Sequence, residues 1–314
     1  MSEQNNTSDS DFSESLVCKI ASEAIAEQRR SRRWGIFFKF LFAFYILFFL
    51  ILYIPPGFDG SAITGEKHTA LIDIEGVIST DTEANADYIV SGLRAAFEDK
   101  NTAGIVLRIN SPGGSPVQAG YVNDEIKRLR ELYPDIPLYA VITDICASGG
   151  YYIASAAEKI YADKASVIGS IGVIMAGFGF VEAMDKLGIE RRLFYAGESK
   201  GLLDPFSPLN PKEVTHIEGV LDNIYQQFIE IVKRGRGDRL KDDDRIFTGL
   251  VWTGQQSLEL GLIDELGSPG YVAREVFGAE EIVDYTKHES YFDLLGYKIS
   301  SKIANLLSSK FELR

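Results

Sequence analysis

The stretch Gly104-Ile-Val-Leu-Arg-Ile-Asn-Ser-Pro-Gly-Gly-Ser115 joins an apolar strand to a glycine-rich corner, and a helical pattern begins at Pro116. The same alternation continues on both sides of this stretch. Strands are expected at residues 69–74, 104–109, 138–143, 159–162, 167–175 and 191–195. Helices are expected at residues 86–98, 116–132, 149–157, 181–187, 211–234, 255–260 and 269–277. Alternation at this spacing predicts an α/β fold of βαβ units, with a largely parallel sheet flanked by helices.

The composition excludes several classes of protein. The 314 residues carry a formal net charge of −13, and 46% of them are hydrophobic. A collagen, a disulfide scaffold and a wholly disordered chain are excluded by these values. Nucleic-acid binding is not expected, because a phosphate backbone repels carboxylates. The two cysteines, Cys18 and Cys146, cannot form a CxxC metal site, and we expect no structural disulfide.

An apolar run rich in aromatic residues predicts a transmembrane helix at residues 34–54. At about 1.5 Å per residue, this run is long enough to cross a bilayer core of about 30 Å. A cleaved signal peptide is the alternative, but the run is too long and no small-residue cleavage site follows it. Basic residues cluster before the run and are absent from residues 55–62. The positive-inside rule therefore places residues 1–33 in the cytoplasm and the chain after residue 55 outside.

Two glycine-rich corners are candidates for chemistry. The corner at residues 110–115 could cradle a phosphate, but it lacks the dinucleotide and P-loop patterns. Its glycines could instead turn backbone amides toward a reacting carbonyl, as in an oxyanion hole. The corner at residues 145–151 places Ser148 between a strand and a helix, where it is either a nucleophile or the N-cap of the helix. Cys146 is a rival nucleophile, but we expect it to face the core.

A base is needed to activate Ser148, and the histidines are poor candidates. None of His68, His216 and His288 falls at the carboxyl end of a predicted strand, so a Ser-His-Asp triad is not expected. A lysine can replace histidine where a dry site lowers its pKa. Lys200 is the best candidate, since it follows the predicted strand at 191–195 among small and apolar neighbours. A solvated loop lysine is the alternative interpretation.

Four motifs occur in order within residues 67–280: Asn110-Ser-Pro-Gly-Gly-Ser115, Ala147-Ser-Gly-Gly-Tyr-Tyr152, Gly169-Ser-Ile-Gly-Val173, and Gly197-Glu-Ser-Lys-Gly201 with Asp204-Pro-Phe206. Together with the N-terminal anchor, they resemble the short form of the bacterial signal peptide peptidase A family. The resemblance implies a Clp protease/crotonase-like α/β fold, a parallel-sheet spiral with flanking helices. The first motif alone is shared across that superfamily, so it indicates the fold rather than the reaction.

The resemblance also implies a serine peptidase with a Ser-Lys dyad. Ser148 would be the nucleophile and Lys200 the general base, and Ser170 would orient the lysine ammonium. The implied oxyanion donors are the amides of Gly114 or Gly113 and of Gly149. One departure is Ser199, where many relatives have an aromatic residue before the lysine. No metal and no organic cofactor is implied.

The implied substrates are apolar peptides, above all the remnants of cleaved signal peptides, at the outer face of the bacterial cytoplasmic membrane. A SohB-type inner-membrane protease is the nearest alternative, and a crotonase-like acyl-CoA enzyme or a non-catalytic membrane scaffold is a more distant one. Along the chain we expect a cytoplasmic tail at 1–33, a transmembrane helix at 34–54, a linker at 55–66, a peptidase domain at 67–280 and an amphipathic segment at 281–314.

Assembly is expected from the C-terminal segment. Within residues 290–310, apolar residues recur at three- and four-residue steps and form one stripe. This stripe could pack against its own domain or lie on a membrane, but the resemblance favours a ring-like homo-oligomer. We expect Ser148 and Lys200 of one chain to meet at a subunit boundary, with a dyad shared between neighbouring chains as the alternative.

Overall fold

Parallel strands form the centre of the computed structural model, which describes residues 27–49 and 66–288 of the chain. The contacts divide the chain into two units, Met1–Thr64 and Gly65–Arg314. In the first unit, the described residues form one helix, α1 (27–49). All other helices and strands described below belong to the second unit.

Eight strands form one sheet in the described part of the second unit. They are β1 (His68–Glu75), β2 (Thr102–Ser111), β3 (Leu138–Ala147), β4 (Lys159–Ala162), β5 (Val167–Gly169), β6 (Val251–Thr253), β7 (Glu265–Leu266) and β8 (Ile282–Asp284). Their order is β6-β5-β3-β2-β1-β8, and β4 pairs with both β3 and β7. All pairs are parallel except β5 with β6.

The helices connect these strands as crossovers. They are α2 (Ala86–Glu98), α3 (Pro116–Leu132), α4 (Gly149–Ala154), α5 (Val181–Leu187), α6 (Pro211–Arg236), α7 (Gly254–Glu259) and α8 (Pro269–Tyr271), with a π-helical turn at Val272–Val276. Short 3-10 turns at Gly237–Arg239 and Asp244–Phe247 lead from α6 toward β6. Because both faces of the sheet are covered, the central strands are apolar on both sides and read as continuous apolar runs.

The core lies mainly on one face of the sheet. Ile72 of β1, Leu107 of β2 and Ala140 of β3 are buried there with the inner faces of α2 and α3. On the opposite face a smaller cluster joins Leu71, Val106, Val141 and Tyr161 to Val272. The predicted α/β class with a largely parallel sheet is therefore confirmed.

Most predicted elements are present, and two predicted strands differ. Helices at 86–98, 116–132 and 181–187 and the strand at 159–162 have the predicted bounds. The predicted strand at 167–175 ends at Gly169, because Gly169 and Ser170 both have positive φ angles, of 114° and 52°. The predicted strand at 191–195 is wrong: these residues pair with no strand in the described part of the chain. Their apolar side chains point outward instead, and Phe194 is 90% exposed.

The ends of the predicted organisation are only partly described. None of the helices in residues 27–49 and 66–288 combines the length and apolar character needed to cross a bilayer. The predicted transmembrane helix at 34–54 extends past α1, and its residues 50–54 lie outside the described residues. Strand β8 extends the sheet beyond residue 280 by pairing with β1. The tail at 1–26, Cys18, most of the linker and the stripe at 290–310 also lie outside the described residues.

Candidate active site

Ser148 stands at a strained corner between β3 and α4. Its φ of 50° and ψ of −120° are rare for a residue with a side chain, and such conformations cost about 1–3 kcal/mol and concentrate at functional sites. Its amide donates to the carbonyl of Gly169 at 2.9 Å, so β5 holds the corner in place. Its hydroxyl makes no capping hydrogen bond to the described helix α4. Ser148 therefore occupies the N-cap position without capping the helix through its side chain, and α4 does not use its hydroxyl.

Two glycine backbones meet beside Ser148. A Cβ atom built on Gly149 would lie 3.2 Å from the amide nitrogen of Gly114. A Cβ atom on Gly113, whose φ is 103°, would lie 2.7 Å from the Cβ of Ser148 and 2.8 Å from the nitrogen of Gly149. Only glycine permits this approach. The amides of the two corners therefore share one small space, as an oxyanion hole requires.

The two candidate donors of the first corner can be distinguished. The amide of Gly113 already donates to the hydroxyl of Ser111 at 3.1 Å. Gly114 is held by the segment around Ile78, which accepts the amide of Ser115 and donates to the carbonyl of Gly113. The amide of Gly149 belongs to the first turn of α4, where helical amides have no partner within the helix. Gly114 and Gly149 are thus the better pair of donors.

A cavity of about 500 Å³ opens onto Ser148. Ser170 lies on its wall, and the Ser170 amide donates to the carbonyl of Leu250 at 2.8 Å. None of the described residues that line this cavity carries a charge. The remaining lining residues are Pro112, Gly114, Pro116, Gly149, Tyr152, Gly172, Val173, Ile174, Ile224, Gln227, Phe228, Thr248 and Gly249. The structure therefore brings together the predicted Ser148, Ser170, Gly114 and Gly149 in one apolar cleft.

Lys200 lies in the turns that follow residues 191–195. It lies in a turn in which its amide donates to the carbonyl of Gly197 at 3.0 Å, and it is exposed. It does not line the cavity that contains Ser148. The cleft of a single chain therefore contains the predicted nucleophile without the predicted base among its lining residues.

The segment around Lys200 is an exposed arm, which we define as residues 173–209. Its large apolar side chains face outward: Ile174 is 90% exposed, Phe178 82% and Phe194 90%. Monomeric soluble proteins rarely leave so many apolar side chains uncovered together. The arm thus presents an apolar surface next to the cleft, since Val173 and Ile174 also line the cavity.

The alternative nucleophile and bases lie away from the cleft. Cys146 is fully buried, and burial raises the pKa of its thiol, which disfavours the reactive thiolate. His68 is buried at the start of β1, where its Nε2 lies 3.1 Å from the hydroxyl of Tyr285. His216 is exposed on α6, and His288 pairs with Glu83 at 3.3 Å. None of these side chains lines the cavity.

The far wall of the cleft was not found from the sequence. It comes from α6, through Ile224, Gln227 and Phe228, and from Thr248 and Gly249 before β6. These residues belong to no motif, and apolar positions on α6 only indicate a buried helix face. Their place in the cleft depends on how α6 packs against α4, where Phe228 and Tyr152 have ring centroids 5.2 Å apart.

Comparisons with known proteins point to one family. The model of peptidase family S49 matches residues 130–280. A Synechocystis protein named as a protease is 33% identical over 202 residues, which cover 64% of this chain and 70% of that protein. An Enterococcus faecium protein named as a signal peptide peptidase is 28% identical over 242 residues, 74% of this chain and 70% of its own length.

A further match is to a much longer protein. A Brucella abortus protein named Na(+)/H(+) antiporter NhaA is 40% identical over 188 residues. The match covers 59% of this chain but spans only a quarter of the relative's length.

Proposed function

The chain belongs to peptidase family S49 and is a serine-type peptidase, and from this premise we propose that Ser148 is its nucleophile and Lys200 its general base. The observation that carries the proposal is the Ser148 corner, with a strained backbone, an uncapped hydroxyl and the amides of Gly114 and Gly149 beside it. A serine that served only the fold would cap its helix and would not need a positive φ.

The reaction follows from these groups. The neutral amine of Lys200 takes the proton of Ser148 as Oγ attacks the peptide carbonyl, and the developing oxyanion accepts hydrogen bonds from Gly114 and Gly149. The lysine ammonium then gives its proton to the leaving amine, which breaks the peptide bond and leaves an acyl-serine. Water, activated by the same lysine, releases the acyl group. Ser170, on the cavity wall, would accept a hydrogen bond from the ammonium.

The dyad is proposed to form between neighbouring chains. Lys200 is exposed and outside the cavity lining, and the arm that carries it leaves its apolar side chains uncovered. A head-to-tail contact that places the arm of one chain on the cleft of the next would cover both and repeat around a ring. It would also exclude water from the lysine, and a dry site is the surrounding in which a lysine can act as a base.

The proposed substrates are apolar peptides, including the remnants of cleaved signal peptides. The cleft is lined by uncharged residues, among them Val173, Ile224 and Phe228, so a charged side chain would lose its hydration there without gaining a partner. On the sequence grounds given above, residues 34–54 are proposed to hold the domain at the outer face of the cytoplasmic membrane. A membrane-bound cleft would meet such peptides where they accumulate.

A fluorophosphonate probe tests the nucleophile directly. We expect it to label the native protein on Ser148, because the probe forms a covalent bond only with an activated serine. Peptide mapping by mass spectrometry locates the label. Ser148→Ala should abolish labelling, whereas Ser199→Ala, which changes an exposed serine next to Lys200, should keep it. Labelling that survives in Ser148→Ala would overturn the assignment.

Mixing two inactive variants tests where the lysine comes from. Ser148→Ala and Lys200→Ala chains would each be inactive alone. If they are dissociated, mixed in equal amounts and reassembled, about a quarter of head-to-tail contacts join an intact serine to an intact lysine. We expect about that fraction of the wild-type rate of peptide hydrolysis. A dyad within one chain predicts no recovery, and that result would reject the shared dyad but not the nucleophile.

A further inference from the structure

The motif Asp204-Pro-Phe206 lies outside the cleft, yet it contains the most enclosed charge of the arm. The carboxylate of Asp204 is only 8% exposed and lies 3.0 Å from the Nε of Arg191. It also accepts the hydroxyl of Ser207 at 2.8 Å. The guanidinium of Arg191 lies 4.9 Å from the ring centroid of Phe206. One arginine is thus held between a carboxylate and an aromatic face.

The arm is closed around this group. Phe206 stacks on Phe180, with ring centroids 5.4 Å apart. The amide of Phe180 donates to the carbonyl of Pro205 at 2.7 Å. These contacts join the beginning of the arm to its end, so residues 191–204 form a loop with a fixed base. We call Asp204, Arg191, Phe206 and Phe180 the arm clasp.

Consecutive turns connect the arm clasp to Lys200. The amide of Lys200 donates to the carbonyl of Gly197, that of Leu202 to Ser199, and that of Asp204 to Gly201, at 3.0, 3.2 and 3.1 Å. Leu203 has a φ of 55°, a left-handed conformation that a leucine adopts only when its surroundings impose it. Hydrogen-bonded turns therefore connect Lys200 to Asp204 without a break, and we expect a shift of Asp204 to move Lys200.

The free energy of the Arg191–Asp204 ion pair indicates that the pair fixes the geometry of the arm rather than stabilising the fold. Surface ion pairs contribute little to folding, and enclosing a carboxylate costs hydration free energy. The arm has abundant apolar side chains that could have packed in its place, as the exposed Phe194 and Leu187 show. An Arg–carboxylate pair stacked on a ring is directional, whereas apolar contacts are not.

We propose that Asp204, Arg191 and Phe206 are positioning residues for Lys200, holding the turn that presents its amine to Ser148. This inference rests on the proposed function, because it assumes that Lys200 is the base. The pair is also neutral as a whole. The clasp can therefore set the position of the amine without adding a net charge near it.

Opposite shifts of the pH profile provide a test that a merely structural role would not pass. The profile is measured on the full chain in its assembled state, with an internally quenched peptide of alanine, leucine and valine. Arg191→Met leaves an unpaired carboxylate, which favours the lysine ammonium. The acidic limb of the kcat–pH profile should therefore move to higher pH by about half a pH unit. Asp204→Asn leaves an unpaired guanidinium and should move the same limb to lower pH by about the same amount.

Two further variants separate charge from geometry. Arg191→Met combined with Asp204→Asn should return the acidic limb to its wild-type position, but kcat should stay lowered by on the order of tenfold or more, because the turn is no longer held. Arg191→Lys keeps the charge and loses the planar stacking on Phe206, so it should lower kcat without moving the limb. In each case KM should change less than kcat, since the clasp does not line the cleft.

The matched control is the neighbouring exposed pair. Arg192 and Glu190 lie 3.0 Å apart with side chains 73% and 72% exposed. Arg192→Met and Glu190→Gln make the same charge changes next to the clasp and should leave kcat and the limb unchanged. Glu198 and Tyr195, the other titratable groups near the turn, are intact in every variant. Sedimentation confirms that each variant assembles as the wild type does.

The outcomes distinguish this inference from the proposed function. If Lys200→Ala is inactive but the clasp variants behave like the Arg192 and Glu190 controls, the positioning role is rejected. Arg191→Met and Asp204→Asn must also move the acidic limb of the kcat–pH profile in opposite directions. If both variants lose kcat but the limb moves the same way in both, or does not move, the positioning role is likewise rejected. If Lys200→Ala retains activity, the proposed function itself is wrong.

Discussion

Ser148→Ala and Lys200→Ala are each expected to lower kcat/KM for an apolar peptide by on the order of 10³-fold or more, and the double variant should be scarcely slower than either one. The two side chains act in one proton transfer, so removing either removes the whole unit. The residual rate would come from substrate binding and from the amides of Gly114 and Gly149, which both variants keep. Initial rates over a range of substrate concentrations give kcat and KM separately.

The control for this experiment is peptide binding to the cleft, which should not depend on the dyad. Binding of the peptide to Ser148→Ala, followed by fluorescence anisotropy, should be close to that of the wild type, because an alanine leaves the apolar wall intact. Circular dichroism should show an unchanged fold. If Lys200→Ala kept a rate near that of the wild type, the dyad would be wrong and another base would have to be sought.

Arg236→Met is expected to destabilise the protein by up to about 3–5 kcal/mol, because it removes the buried partner of an enclosed carboxylate and leaves it only the half-exposed Arg239, at 3.2 Å. The Arg236 side chain is fully buried, and its two terminal nitrogens lie 2.9 and 3.0 Å from the carboxylate of Asp264. Its Nε donates to the carbonyl of Gly261 at 2.9 Å, and Asp264 also accepts the amide of Ile160 at 2.7 Å. The pair therefore ties the end of α6 to β4.

Urea unfolding of residues 66–314, followed by tryptophan fluorescence, measures this loss. Arg236→Met combined with Asp264→Leu should be less destabilised than Arg236→Met alone, because the charge that loses its partner is then that of Arg239, whose side chain is 41% exposed and stays hydrated. Arg274→Met, which removes the arginine of the exposed pair with Glu275, is the matched control and should change the free energy of unfolding far less. Equal losses in both arginine variants would contradict the role given to burial.

The same pair has a defined dependence on pH. Burial acts to raise the pKa of Asp264, but the hydrogen bonds and charge of Arg236, together with the Ile160 amide and the charge of Arg239, outweigh it and hold this pKa below its ordinary value of 3.8. The stabilisation is present above that ordinary value and is lost as the pH falls through the lower, folded-state pKa. In Arg236→Met the amide of Ile160 and the charge of Arg239 still favour the carboxylate, but the largest compensation for burial is gone, so the pKa of Asp264 should lie higher than in the wild type. The difference in stability between wild type and variant should therefore narrow on acidification below about pH 4.

Local patterns in the sequence are sufficient for most of the fold and for one half of the site. The alternation of strands and helices, the helix bounds at 86–98 and 116–132, and the burial of Ile72 and Leu107 all follow from periodicity and caps. The two glycine-rich corners each follow a parallel strand, and carboxyl ends of neighbouring parallel strands meet at one edge of the sheet. The sequence alone is therefore sufficient to predict that Ser148, Gly114 and Gly149 lie close together.

Only the tertiary structure decided the rest. The apolar residues 191–195 were predicted to be a strand, because a run of apolar side chains predicts a buried strand whether or not the folded chain covers the segment. The path of the arm, the pairing of Arg191 with Asp204, and the cleft wall from α6 join residues that are distant in sequence and share no local pattern. Lys200 could be recognised by its motif, but only the packed chain shows that it is exposed and does not line the Ser148 cleft. Local sequence determines backbone conformation through short-range sterics and hydrogen bonds, whereas the meeting of remote segments depends on the packing free energy of the whole domain.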